Sequence, residues 1–403
     1  MSKAKVSIVK TQNDPEYPEI REAVEKALDL IGGIHDIIKP GHLVLINPNW
    51  VATPAKKEAG GVTVPEVSRA IADIVKEMGA RPVIADSAAV GADTEKVIEE
   101  ARYHELRERG YEVVDLKKTR SVKLQTENSK VFKTVPCWEL AQQADVLITV
   151  PKLKTHDQTE MTCAIKNLKG LLTDKGKRDS HKEGLFEGVI DLMTAIKPQL
   201  AVVDGIICQE GAGPIYGRPI EMDLIIAGKD IVAVDSTCAQ IIGYEPSETY
   251  LTVNAAARGL GVIDPDQIEI MGETLDRVKR RFLRSIEDNP IETEGFQWIN
   301  DTSTCTGCRN TVMASLMEMR KADQLGYLKD MAIITGGAPL PKGVLRENIV
   351  TVGKCMPKEN RIGTRYIKGC PPNSTPIVKA IMGDRAEVKR PYAEESIDKT
   401  DSD

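Results

Sequence analysis

Four cysteines stand in the last quarter of this chain, in CTGC at 305–308, GKC at 353–355 and GCPP at 369–372. A C-x-x-C pair lets Cys305 and Cys308 reach one metal centre from a single turn, and Cys355 and Cys370 would complete a four-sulfur shell. Thiolates are favoured by positive surroundings, and Arg309, Lys354 and Lys368 lie beside three of them. Zinc ribbons repeat a compact knuckle. Here the second pair is split by 14 residues, and Cys370 is followed by proline, a step that recurs at iron–sulfur ligands. The expected cofactor is one [4Fe–4S] cluster, with structural zinc as the alternative. Cys137, Cys208 and Cys238 read as small buried apolar residues.

A second chemical stretch is PKLKTHDQTEMTCAIKNLKG, 151–170, directly after the apolar run ADVLITV. It sets Lys152, Lys154, His156, Lys166 and Lys169 against only two acids, Asp157 and Glu160. In open α/β sheets, ligands bind beyond the carboxyl ends of strands, where Lys152, Lys154 and His156 fall. The following residues read as a helix closed near Gly170, with Lys166 and Lys169 three apart on one face. Such a cluster suits an anionic ligand. A lysine crowded by cations also loses its proton more easily, which frees it as a base or nucleophile. The expected catalytic pair is His156 and Lys166, with Lys152, Lys154, Asn167 and Lys169 binding substrate. The glycine-rich stretch DGIICQEGAGPIYGRP, 204–219, adds Glu210, Tyr216 and Arg218, since long glycine-rich loops after strands commonly carry function. NPNW, 47–50, also follows a strand and could supply amide groups. Asp204 and Asp235 are explained equally well as capping residues.

These residues need a scaffold. Residues 1–285 alternate β-branched runs (KVSIVKT, HLVLINP, RPVIADS, YEVVDL) with helical patterns such as 64–79 and 93–110. Alternation of this kind predicts an α/β fold, a largely parallel sheet with helices on both faces. Residues 286–300 have a linker composition, and 301–383 form a smaller α+β cysteine-ligated domain. The charged tail 384–403 reads as disordered. With 403 residues and a net charge of −6, nucleic acid is not the expected partner. No apolar run is long enough to span a bilayer, so the expected setting is cytoplasmic with no membrane partner. Neither GGVTVPE nor GAGPIYG is a dinucleotide fingerprint.

LINPNW, VIADS, DVLITVPKLKTH, AIKNLKGLL, EGAGPIYGRP, DIVAVDSTCAQIIGY and AARGLG occur in that order across residues 4–272. In these pieces the chain resembles the domain-of-unknown-function 362 (DUF362) family, departing from it at Asn47, where the family motif carries lysine. The resemblance implies linkage to iron–sulfur modules. A more distant likeness is to nickel-pincer lactate racemases, which place a histidine and a cofactor-bearing lysine ten residues apart, as His156 and Lys166 are, although TCAI replaces their glycine-rich stretch. The expected function is an iron–sulfur redox enzyme or electron-transfer component acting on a small anionic organic substrate, with a redox partner protein. The alternatives are a racemase or epimerase using His156 and Lys166, and a binding protein that handles metals or clusters.

Overall fold

The computed structural model describes residues 3–285, 287–288, 291–301, 304, 306–369, 372 and 374–383. The chain divides into two compact units, Met1–Asp288 and Asn289–Asp403.

The large unit is built on a ten-stranded sheet. Its strands, with an accessory hairpin, are β1 (Ala4–Lys10), β2 (Leu43–Pro48), β3 (Arg81–Asp86), β4 (Val113–Asp115), the hairpin β5 (Ser121–Leu124) and β6 (Val135–Trp138), β7 (Val146–Val150), β8 (Lys152–His156), β9 (Glu160–Thr162), β10 (Leu200–Glu210), β11 (Arg218–Gly228) and β12 (Ile268–Gly272). The main order is β12-β1-β11-β10-β7-β2-β3-β4, and β8 continues the line of β7 to pair with β10 and β9. β2, β3, β4, β7 and β10 run parallel, whereas β11 is antiparallel to both its neighbours.

Side chains alternate across each strand, so each face builds its own core. Leu45 and Leu147 join the apolar cluster on one face, while Val44, Ile46, Val146 and Ile148 join the cluster on the other. The helix Pro65–Glu77 covers the second face with Val67, Ala70, Ile71 and Val75, placed by helical periodicity and started by Pro65 at its first turn. The helices Leu185–Ile196 and Ile231–Ile241 cover the first.

The strand β2 has β3 on one side and β7 on the other, so the chain winds outward in opposite directions from the β2–β7 boundary. Such a switch point leaves a crevice at the carboxyl ends of the strands.

Two local expectations differ. KLKTH forms a strand, not a loop, because β10 extends far enough to pair with it, as Asp204 with Lys152 and Gln209 with Lys154. Glu160–Thr162 returns as β9 against β8 and does not begin the helix, which is confined to Ala164–Asn167 with a tighter turn over Leu168–Leu171.

Among its described residues the small unit has four parallel strands in sequential order, β13 (Gln297–Ile299), β14 (Ala332–Thr335), β15 (Ile349–Val352) and β16 (Arg365–Ile367). The first lies inside the stretch read as linker. The helices Thr306–Lys321 and Ser374–Met382 pack on the sheet through Val312, Leu316, Met319, Ile377, Val378 and Ile381. Among the described residues no helix is long and apolar enough to cross a membrane. Tail residues 384–403 lie outside the described residues.

Candidate functional site

At the β2–β7 crevice the charged residues of the lysine-rich segment turn inward. Lys152 and Lys154 are both fully buried. They play different parts. Lys152 lies 2.6 Å from Asp204, its register partner on β10, in a closed ion pair. Asp204 also accepts from the backbone N–H groups of Val64 (2.8 Å) and Ile206 (3.1 Å). Lys152 is therefore placed in the sheet rather than at a ligand surface.

Lys154 instead points its ammonium at neutral oxygens. It donates to Asn49 Oδ1 (3.0 Å), to the Pro214 carbonyl (3.0 Å) and to the Gly61 carbonyl. Burial, reinforced by Lys166 and Lys152, pushes its pKa well below the usual lysine range. From Lys154 a hydrogen-bond chain runs through three amides. Asn49 Nδ2 donates to Asn167 Oδ1 (2.8 Å), Asn167 Nδ2 to Asn47 Oδ1 (3.2 Å), and Asn47 Nδ2 to Asp86 Oδ1 (3.1 Å). Asn167 Nδ2 also reaches Thr149 Oγ1 at 3.1 Å. This amide thus clamps the ends of β2 and β7.

Asp86, at the end of β3, accepts the Trp50 N–H at 2.9 Å. Burial raises its carboxyl to about 6, against the opposing pull of Lys177. Its Oδ1 lies so near Gly170 that a Cβ there would come within 1.7 Å, so only glycine lets the Leu168–Leu171 turn rest on the carboxylate. Ser87 donates to the Gly170 carbonyl and accepts from Trp138 Nε1 (3.0 Å) and Lys177 Nζ (2.7 Å).

Lys177 was not singled out from sequence. Its helix, Asp174–Glu183 (DKGKRDSHKE), is polar throughout and reads as solvated. In the fold the side chain is buried, and Nζ also donates to the Ser87 and Ala88 carbonyls (2.8 Å each). Burial lowers its pKa to about 8. Asp86 and Ser87 were legible only as the end of VIADS, where the strand-end rule places ligand groups.

Lys166 and Lys169 keep partial solvent access although protein crowds around them, as expected of groups lining a cleft. Burial lowers Lys166 to about 8, opposed by Asp157. Lys169 is pushed well down by burial and then by Lys166 and Lys177. The short helix carrying Lys166 is held by Asp235, which accepts from the backbone N–H groups of Ala164 (2.7 Å) and Ile165 (3.3 Å). Burial raises that carboxyl to about 7.

His156, at the end of β8, is buried. Its Nδ1 accepts from Gln158 N–H (2.9 Å) and lies 3.0 Å from Asp157 Oδ1. The Gln158 contact leaves Nδ1 unprotonated and so favours the Nε2–H tautomer. The glycine-rich loop reaches this region through the Pro214 carbonyl. Glu210 accepts from Leu283 N–H (2.8 Å), Arg218 is exposed and lies 3.2 Å from Asp288, and Tyr216 is partly buried. The crevice thus gathers Lys154, Lys166, Lys169 and Asn167, with Lys177 and Asp86 added. Lys152 stands apart in its ion pair, and Glu210 and Arg218 are engaged with residues 283 and 288.

In the small unit, Cys308 and Cys355 are described, while Cys305 and Cys370 lie outside the described residues. A Cβ built on Gly353 would lie 2.9 Å from Cys308 Sγ and 3.5 Å from Cys355 Sγ, so both sulfurs converge on one point that only glycine leaves open. Gly353 has φ +106°, a conformation that side-chain-bearing residues rarely adopt. Lys354 N–H donates to the Gly369 carbonyl at 2.8 Å, tying the Cys355 loop to the segment that precedes Cys370. Arg361 holds the same loop by donating to the Lys354 (2.8 Å) and Met356 carbonyls. Among the described residues no group of three or more cysteine, histidine or carboxylate side chains is placed to hold a metal ion.

Among curated proteins the chain is 32% identical over 272 residues to the thylakoid-associated protein sll1697 of Synechocystis sp., covering 66% of this chain and 82% of that one. Among solved structures it is similar to the lactate racemase apoprotein from Thermoanaerobacterium thermosaccharolyticum, with 10% identity and a TM-score of 0.43 over 95% of this chain and 91% of the other. The family model described as Domain of unknown function (DUF362) matches residues 44–240, a span that contains the whole path from Asn47 to Asp235, and the chain belongs to that family.

Proposed function

We propose that the large unit binds a small anionic organic substrate in the lysine cleft and that the small unit carries a four-cysteine iron–sulfur cluster, making the protein a redox enzyme or electron-transfer component. The observation that supports the binding reading most directly is the partial exposure of Lys166 and Lys169, with Lys154 and Lys177 buried. Buried ammonium groups held by neutral oxygens leave positive charge that an anion offsets. Lys166, near 8, is matched to proton transfer at neutral pH, and His156 supplies a second titratable group. The convergence of Cys308 and Cys355 on Gly353 supports the metal reading. A cluster bound there supplies one-electron chemistry.

A second reading, proton transfer of the racemase or epimerase class, draws on the same Lys166 and His156 and leaves the metal structural. The deciding experiment is iron and acid-labile sulfide analysis of protein purified without oxygen, paired with Lys166→Ala and His156→Ala. About four irons and four sulfides per chain, with ligand binding lost in both variants while fold and metal persist, is the expected result. One zinc without sulfide removes the redox reading. Wild-type binding in both variants removes the cleft reading.

A further inference from the structure

The helices Thr306–Lys321 and Ser374–Met382 cover one face of the small sheet. Side chains alternate along β14 and β15, so Ile333, Val350 and Val352 join that helical core, while Ala332, Ile334 and Ile349 turn the other way. On this second face the packing partners are loop residues, Ala338, Leu340, Val344 and Met356. The loops are laced together. Asn360 Nδ2 donates to the Ala338 carbonyl (3.1 Å), and Arg346 donates to the carbonyls of Glu359 (3.3 Å) and Ile362 (2.6 Å). Arg361 donates to the Lys354 carbonyl (2.8 Å), with its guanidinium 4.7 Å from the centre of the Tyr366 ring.

The contact from Arg346 brings Ile362 to the segment that carries Leu345. These two side chains are 70% and 65% exposed, more than any other large apolar side chain among the described residues. Adjacent exposed apolar groups rimmed by polar residues mark interaction sites. The rim here is basic. Residues 336–364 carry Lys342, Arg346, Lys354, Lys358 and Arg361 against Glu347 and Glu359, in a chain whose net charge is −6. The three lysines are exposed. The two arginines direct their donors at carbonyl oxygens, which leaves their charge uncancelled. Cys355 is exposed on the same loops.

We propose that this loop face is a docking surface for an acidic protein, a small one-electron carrier of the ferredoxin or flavodoxin class. The choice of carrier rests on the redox reading; the surface itself does not. Opposite charge steers the encounter and fixes its orientation. Electron-transfer contacts are small, which suits two aliphatic side chains within a basic rim. An element that lies in a lipid interface needs a broad apolar face, which two side chains do not make.

Anisotropy titration of fluorescently labelled plant-type ferredoxin, and of flavodoxin, with the full chain tests the surface. At low ionic strength at least one carrier should bind, and raising the salt to ~0.15 M should weaken binding by roughly tenfold. Lys342→Gln combined with Lys358→Gln should weaken it by about threefold to tenfold. Leu345→Ser combined with Ile362→Ser should weaken it by a similar factor while the salt dependence stays. Lys229→Gln, in an exposed ion pair with Asp36 in the large unit, should change nothing. Binding of neither carrier overturns the proposal, and capture of the chain by vesicles of phosphatidylcholine and phosphatidylglycerol in their place assigns the patch to lipid. Binding that both double variants leave intact puts the contact elsewhere and also overturns it. Iron and sulfide content of the same protein tests the redox reading separately. One zinc without sulfide, with salt-dependent and variant-sensitive docking retained, removes that reading and supports the surface.

Discussion

Lys154 and Asp86 are joined by a one-way chain of three asparagine amides, each donating through Nδ2 and accepting through Oδ1. The ammonium starts the chain as a donor and the carboxylate ends it as an acceptor, so every amide has a defined orientation. In a low-dielectric interior such a chain polarises along its length and couples its two charged ends. Asn167 is the middle link. Asn167→Leu leaves Asn49 Nδ2 and Asn47 Oδ1 without this partner and should cost roughly 2–4 kcal/mol. Urea denaturation of the large-unit transition measures it, and a cost within error of zero would show the chain to be incidental.

The fully buried pair Lys152–Asp204 has a different signature. Lys152→Met strands a buried carboxylate and should destabilise by about 3–5 kcal/mol. Lys152→Met combined with Asp204→Asn should cost less than the single change, because the uncompensated charge is gone. A double variant less stable than the single one would mean that the carboxylate's bonds to Val64 and Ile206 dominate.

The shifted groups set a pH profile. Asp86 titrates near 6 in the fold, above its usual value, so the native state holds its proton longer than the unfolded chain. Its contribution is full below the usual carboxylate range and is lost as pH rises through about 6. Lys166 and Lys177, lowered to about 8, act in the opposite sense. Between about 8 and the ordinary lysine pKa the unfolded chain binds more protons, so stability should rise with pH there. Melting temperatures at constant ionic strength across pH 8–10 should therefore climb until other groups intervene, and Lys177→Met should flatten the rise.

Gly353→Ala tests the small unit. The added methyl would lie 2.9 Å from Cys308 Sγ and 3.5 Å from Cys355 Sγ, at a φ that side-chain-bearing residues rarely adopt. Bound iron and sulfide should drop sharply, while anion binding by the large unit is retained. Full metal content in this variant would place the two sulfurs in separate roles.

Local pattern was enough for the class of fold. Short β-branched runs alternating with helices of clear periodicity leave a parallel sheet covered on both faces as the solution that buries every apolar surface. It was also enough to mark the end of β7 as the place where charge gathers, and to single out four cysteines. It did not reveal that KLKTH is a strand, because Lys152 and Lys154 read as ligand-binding groups on a loop until the long β10 supplies Asp204 and a hydrogen-bonding edge. Lys177 carried no local signal for the same reason. Its helix is polar on every side, and only contact with Ser87, ninety residues earlier in the chain, buries the ammonium. Asn167, read as a substrate contact, is engaged at both ends of its amide, with Asn47 of β2 and Asn49 just beyond it 120 and 118 positions away and with Thr149 of β7 18 positions away. Periodicity reports which face of an element is apolar. Which buried charge meets which partner depends on strands brought together at the β2–β7 boundary, and that is decided by the tertiary fold alone.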